Sequence, residues 1–417
     1  MPPKEHIPSR YAIIPYYAVA ALLFVITTAL CINAATAFAG HYFQPKLLAI
    51  THMAVLGWAT MIIFGATNQL APVIAEHKLY SKKIPIAVLA LLIAGLCLLI
   101  PSFWFFSFTI FSYTGGILLL AGFIMHSFNI YKTVQKGKES IANDFILVAH
   151  VWLLLTAFIG LLLIVNLRYA FLPEEHLHYL KIHGTIGMAG WFLQLVIGVS
   201  SRLIPMFLLS RTEATKWLHK AYYLINIGLI LFLMEGMVVR SDWGRPVYFL
   251  VLTAGLLCYL MYVRGCYNSA MRKNMDNGMK QTFVALFLII VPFALLAIQF
   301  IAGRHVAPNI VVAYGISFFA GFISTMIMGQ TFKTLPFIVW MHITRPDKLP
   351  ELLPKDLFKE RLVKWQMIIF LLGYLFLLTG ILTTTVWANY TGAILMTIAA
   401  VIYFLHVLFV IRKLVKL

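Results

Sequence analysis

The sequence predicts an all-α polytopic membrane protein, with twelve transmembrane helices arranged as three pseudo-symmetric four-helix units. Three observations carry that prediction. The 417-residue chain is 62% hydrophobic and only 11% charged, whereas a soluble domain carries roughly 25% charged residues, so it lacks the charge to cover a soluble surface. Its apolar residues fall into twelve runs, each near or above the ~20 residues that a spanning helix needs. One spacing also recurs three times: "GWATMIIFGATNQLAP" at 57–72, "GWFLQLVIGVSSRLIP" at 190–205 and "GFISTMIMGQTFKTLP" at 321–336. Each copy reads glycine, aromatic, six residues, glycine, six residues, proline, and the copies lie 133 and 131 residues apart. Repetition at that period points to one unit used three times.

The runs, in order, cover 12–39, 47–74, 84–103, 108–128, 145–167, 180–207, 220–239, 247–268, 281–302, 309–339, 365–387 and 390–411. The first is much longer than the ~7–15-residue core of a secretory signal, so it reads as a first spanning helix that is retained. The second, sixth and tenth carry the repeated motif. In the fourth and twelfth, "HSFNIYK" from His126 and "HVLFVIR" from His406 match in spacing, and Cys266 takes the corresponding place in the eighth. The longest polar connection, 342–364, is rich in proline and charge. No soluble domain interrupts the spans, which gives a single membrane domain with pseudo-repeats at approximately 11–140, 141–278 and 279–417. Four spans per unit keep the copies parallel, related about an axis along the membrane normal.

Charge placement orients the chain. With a cytoplasmic N-terminus, the inner segments hold 24 Lys and Arg residues. The outer ones hold six: Lys46, Arg168, Lys181, Arg240, Arg245 and Arg304. Arg202 and Lys333 lie inside the motif. This asymmetry puts both termini in the cytoplasm and suits a bacterial cytoplasmic membrane. It accounts for the net charge of +18 with lipid, not nucleic acid, as the partner. The four cysteines, Cys31, Cys97, Cys258 and Cys266, form no CxxC pair and read as small buried hydrophobes.

The motif residues have physical roles. The glycines remove side chains where helices or a flat ligand approach closely. Pro72, Pro205 and Pro336 break their helices near the inner face. Three residues before each proline stand Gln69, Arg202 and Lys333, and the two cations can snorkel to water or lipid phosphate.

Thirteen histidines sort by depth. His6, His77, His219 and His342 fall in inner loops. His126 and His406, near the inner ends of their spans, read as solvated or interfacial. His52 lies six residues beyond Lys46, about 9 Å along a helix axis, inside the apolar segment "AITHMAVLGW". An ionisable group at that depth is a functional candidate by default. His183 stands at the outer end of the sixth span. His150 enters from the inner face, so one metal does not take both His150 and His52. His41, His176, His178 and His305 lie in outer loops. Glu235 either steadies an imidazole through its second nitrogen or pairs with Arg240.

Imidazoles in an apolar layer suit haem, held by axial histidines, admitted by glycines and met at the water interface by Arg or Tyr. The candidate cofactor-binding residues are His52, His183, His305, Arg202 and Tyr314. His52, His183 and His150 are the candidate metal ligands. A b-type haem is the first expectation. Copper, with imidazole and thioether ligands, is the second, and the chain holds seventeen methionines. Counted back from the proline, His52 stands at twenty residues and His183 at twenty-two, where the tenth span has Tyr314. The two histidines are therefore not repeat equivalents unless a local bulge resets the register.

The segments "HYFQPKLLAITHMAVLGWATMIIFGATNQLAP" and "HGTIGMAGWFLQLVIGVSSRLIPMF" resemble the helix 2 and helix 6 regions of subunit I in the haem–copper oxidase and nitric oxide reductase superfamily. In topology the resemblance covers essentially the whole chain. It implies an oxidase-subunit-I-like fold, with His52 as an axial ligand of the low-spin haem and His183 as a loose match to a copper ligand. The family's paired helix 7 histidines are missing from "AYYLINIGLILFLMEGMVV", and the helix 10 histidines are replaced by Tyr314 in "VVAYGISFFAGFISTMIMG". The profile also resembles the NnrS family of twelve-helix proteins associated with haem, copper and nitric oxide stress. The resemblance implies a membrane haem protein of respiratory electron transfer or nitric oxide metabolism, partnered by an electron donor or other respiratory-chain subunits. The alternatives are a non-enzymatic copper or haem transporter or assembly factor, and a catalytically inactive scaffold. Prolines near the inner face, not at the midplane, weigh against transport.

Overall fold

The structure is a computed structural model that describes residues 8–212, 214–239, 244–302, 307–343 and 353–414, without the side chains of 300 and 302. Among the described residues, twelve helices are long and apolar enough to cross a membrane: α1 (Arg10–Asn33), α2 (Pro45–Ile74), α3 (Ile84–Trp104), α4 (Ile110–Val134), α5 (Ile141–Asn166), α6 (His176–Leu208), α7 (Thr215–Val239), α8 (Arg245–Asn268), α9 (Asn277–Gln299), α10 (Pro308–Ile343), α11 (Glu360–Leu382) and α12 (Val386–Leu414). The described residues contain no strand, only an isolated bridge between Ser210 and Ala270. The protein is thus an all-α polytopic membrane protein. Helix starts follow local rules. Prolines occupy the first turns of α2, α8 and α10, where their missing N–H costs nothing. Ser140 and Asp276 cap α5 and α9 by accepting from the N–H groups of Asn143 and Met279.

Helix ends depart from the expected runs in both directions: α4 runs on to Val134 instead of 128 and α11 starts at Glu360 instead of 365, whereas two ends fall well short. The first apolar run continues to residue 39, but α1 stops at Asn33 and the chain turns through Ala37–Ala39. Ala34, Ala35 and Phe38 are buried, so this turn is as apolar as the helix before it. Between α11 and α12 the break falls at 383–385, earlier than expected. Thr384 has a left-handed φ of 56°, and the Thr385 N–H bonds back to the Gly380 carbonyl at 2.8 Å. Threonine hydroxyls compete for the local backbone: Thr383 donates to Thr379 O at 2.8 Å and Thr384 to Thr383 O at 2.7 Å.

The chain packs as two compact units. One holds Thr67–Leu99 and Ser107–Asn274, and so most of α3, all of α4 to α8 and the last turns of α2. The other holds Arg10–Ala66, Ile100–Phe106 and the residues from Met275 onward, and so α1, most of α2 and α9 to α12.

The three motif helices share a backbone feature that no residue pattern announced. Each widens into a π-helical segment: Met53–Thr60 in α2, Ile186–Leu193 in α6 and Ser317–Ser324 in α10. All three occupy positions nineteen to twelve residues before the motif proline. In α2 the Met61 N–H reaches back five residues to Leu56 O. Such turns are rare and occur often at functional sites. Because the offset is the same in each copy, the bulge does not reset the register. The place of His52 is taken by Thr185 in α6 and Ile316 in α10, and His183 remains two residues out of step.

The motif glycines are filled by protein. At the first glycine, large side chains take the space: Met53 and Leu23 over Gly57, Trp152 over Gly190, and Tyr374 over Gly321. At the second, the first helix of the same repeat comes close. A Cβ on Gly65 would lie 2.6 Å from the Tyr16 Cβ, one on Gly198 2.9 Å from the Phe145 Cβ, and one on Gly329 2.8 Å from the Gly278 carbonyl. The prolines act unequally: α2 and α6 end within three residues of Pro72 and Pro205, but α10 continues past Pro336 to Ile343.

Five residues before each proline stands a hydroxyl, and each meets a ring on the fourth helix of its repeat. Thr67 Oγ1 lies 3.1 Å from His126 Nε2, Ser200 Oγ 2.7 Å from Tyr259 Oη, and Tyr403 Oη donates to Thr331 Oγ1 at 2.9 Å. This pairing aligns His126 with Tyr259 and Tyr403, not with Cys266 and His406 as the spacing suggested. His406 instead accepts the Lys359 N–H at 3.0 Å and ties down the connection before α11. Asn129 does the same before α3, accepting from Ser81 N at 2.9 Å.

Candidate functional site

His52 stands one residue ahead of the π segment of α2. Its Nδ1 lies 2.8 Å from the Leu48 carbonyl, and its half-buried ring stacks on Phe103 at 4.3 Å and 20°. A carbonyl only accepts, so Nδ1 carries the proton and Nε2 carries the lone pair. This is how metal-binding histidines are usually oriented. The i−4 carbonyl bond alone is not diagnostic, since His219 and His342 make it too, to Thr215 O and Ile338 O. His52 differs from them in its apolar surroundings and its aromatic backing.

His183 is held differently. Its Nδ1 lies 2.9 Å from Thr156 O on the neighbouring α5. Gly160 makes room for the ring, since a Cβ there would sit 2.8 Å from His183 Cε1. The residues just after the α6 and α10 candidates, Gly184 after His183 and Gly315 after Tyr314, have nothing within 4 Å of a Cβ position. Among the described residues the open glycines are these two, beside the candidate ligands. Tyr314 is half-buried. Arg202 is exposed, as a snorkelling cation should be. Lys333 does not snorkel: it pairs with Asp276, the N-cap residue of α9. His305 lies outside the described residues, as does Arg240, the expected partner of Glu235. The Glu235 carboxylate accepts the Gly244 N–H at 2.8 Å.

His150 is not alone. Its ring lies 5.4 Å from that of His126, with 29° between the planes, and Trp191 approaches edge-on at 5.2 Å. Both histidines are buried, His126 at 0% and His150 at 3% exposure. The sequence makes His126 solvated or interfacial because the expected span ends at 128, but α4 runs on to Val134. The contact with Thr67 on α2 and the pairing with α5 carry it inward instead. His150 Nδ1 lies 2.7 Å from Ile146 O, and its Nε2 has no hydrogen-bond partner among the described residues. An unmet buried polar atom costs about 1–3 kcal/mol, and such atoms in native proteins usually mark water, an ion or a functional role. The sequence signal for this pair was faint, because the two residues belong to different spans with no shared motif.

Donor chemistry bears on what these residues can hold. Single imidazoles with an anchored Nδ1, as at His52 and His183, fit axial ligation of haem iron. Among the described residues no group of three or more His, Cys, Asp or Glu side chains gathers to hold an ion. The three-imidazole set of a haem–copper centre is therefore not assembled from them.

Fold and site together define a class: an integral membrane protein with imidazoles set in its apolar helices. The sequence matches no protein-family model and has no significant similarity to a curated protein.

Proposed function

We propose that this protein binds b-type haem in the membrane through His52, and that it works in respiratory electron transfer or nitric oxide metabolism as a degenerate relative of oxidase subunit I. The observation that carries the reading is the His52 side chain. Its Nδ1 is anchored on Leu48 O, its face is backed by Phe103, and it stands at the mouth of a π segment. The open position at Gly315, beside Tyr314 and in the same compact unit as His52, supports space for a flat ligand. When bound, haem iron supplies one-electron or diatomic-gas chemistry. The chain's own residues would orient it: Leu48 O fixes the His52 tautomer and Phe103 fixes the ring plane. The charge asymmetry supports a reading in which the His52 end of α2 lies at the outer face and the termini in the cytoplasm.

The test is haem content. Protein purified from membranes should give a pyridine hemochrome of b type and a Soret band. Purified, folded protein that contains no haem and takes none up when haemin is added ends the proposal.

A further inference from the structure

We propose that His126 and His150 form a separate, buried two-imidazole site for copper(I). The proposal stands whether or not the chain carries haem, because it uses neither His52 nor His183.

The geometry is built from four helices. His150 on α5 has its tautomer fixed: Ile146 O accepts the Nδ1 proton, so the lone pair lies on Nε2. That nitrogen is buried and has no hydrogen-bond partner among the described residues. The unmet atom is thus an acceptor, suited to a Lewis acid. His126 on α4 stands beside it, with ring centres 5.4 Å apart. Two imidazoles bound at about 2 Å to one ion have ring centres about 5 Å apart at a tetrahedral angle and about 6.3 Å apart when collinear, so the observed separation suits a bent pair. Thr67 engages His126 Nε2, so Nδ1 is the atom assigned to the metal. Trp191 packs against the His150 ring, with centres 5.2 Å apart and 74° between the planes.

The ion follows from charge. Two neutral nitrogens bring no negative charge, and no third His, Cys, Asp or Glu joins them among the described residues. Burying an uncompensated charge is costly, and the cost grows with the square of that charge. A monovalent ion that accepts few ligands is therefore favoured over zinc(II) or copper(II), and imidazole is a suitable donor for copper.

Full-length protein in detergent, stripped of metal, is titrated anaerobically with copper(I) in competition with a chromophoric copper(I) chelator. One copper(I) per chain is expected, and H150Q and H126Q should each weaken binding at least tenfold. H52A should bind copper(I) as wild type does, and the haem content of H150Q and H126Q, measured on the same samples, should be unchanged. The proposal is overturned if wild type binds no copper(I), if both glutamine variants bind it undiminished, or if zinc(II) is preferred at the pair. X-ray absorption of copper-loaded wild type keeps the test sharp even where a variant misfolds: imidazole nitrogen scattering supports the site, and sulfur ligation overturns it.

Discussion

Replacing Gly329 by Ala tests whether the repeated glycines are helix contacts. A Cβ there would stand 2.8 Å from Gly278 O and 3.0 Å from Thr282 N, both backbone atoms of α9. Ordinary contact begins near 3.4 Å, so α9 and α10 must separate by roughly half an ångström, and no flexible side chain can yield instead. Overpacking of this kind costs about 1–3 kcal/mol. Alanine returns about 0.5–1 kcal/mol of helix propensity, so the net loss is on the order of 0.5–2 kcal/mol. The same helix supplies its control. Gly315, fourteen residues earlier, has nothing within 4 Å, so G315A should be neutral or stabilised by up to about 1 kcal/mol. The pair on α6 repeats the contrast, with G198A destabilised and G184A not. Reversible SDS unfolding in mixed micelles, followed by circular dichroism, measures all four variants. If G329A and G198A prove as stable as G315A and G184A, the assignment of the second glycine to close helix packing is wrong.

Other outcomes follow from single contacts. Y403F and Y259F each remove one hydroxyl from a buried pair with Thr331 or Ser200; each should lose about 0.6 kcal/mol, the scale of hydrogen bonds between membrane helices, in the same unfolding assay. K333M should destabilise more than D276N. The first strands the Asp276 carboxylate, whereas asparagine still caps α9; equal losses would mean that the ion pair contributes nothing beyond the cap. L357A removes a fully buried side chain from the connection that His406 holds through Lys359 N, and should expose that segment to limited proteolysis before the helices unfold.

The spans were legible because hydropathy reports burial in lipid directly. The places where it misled share a cause. Ala34, Ala35 and Phe38 are apolar and buried in a turn, so composition alone cannot tell turn from helix there. The 383–385 break rests on threonine hydroxyls competing for the backbone, a signal spread thinly over three residues. The glycine–proline spacing pointed to the right helices, and the hydroxyl five residues before each proline would have shown the true alignment of the fourth helices. The π segments carry no residue code in common beyond the glycine and aromatic. At the site, the Nδ1 anchor of His52 is an i−4 contact that helical geometry allows from sequence. The His126–His150 pair needed two helices to be placed side by side, and one sequence does not supply that distance. The sequence alone makes Lys333 a snorkelling cation, because Asp276, its partner, stands 57 residues away in the chain.

The central claim is that His52 holds an iron porphyrin by its Nε2, and exchanging that imidazole for a free one tests it most directly. H52G should lose or shift the Soret band of the purified protein, and millimolar imidazole added to the variant should restore it. A Soret band identical in wild type and H52G, unmoved by imidazole, would contradict the claim.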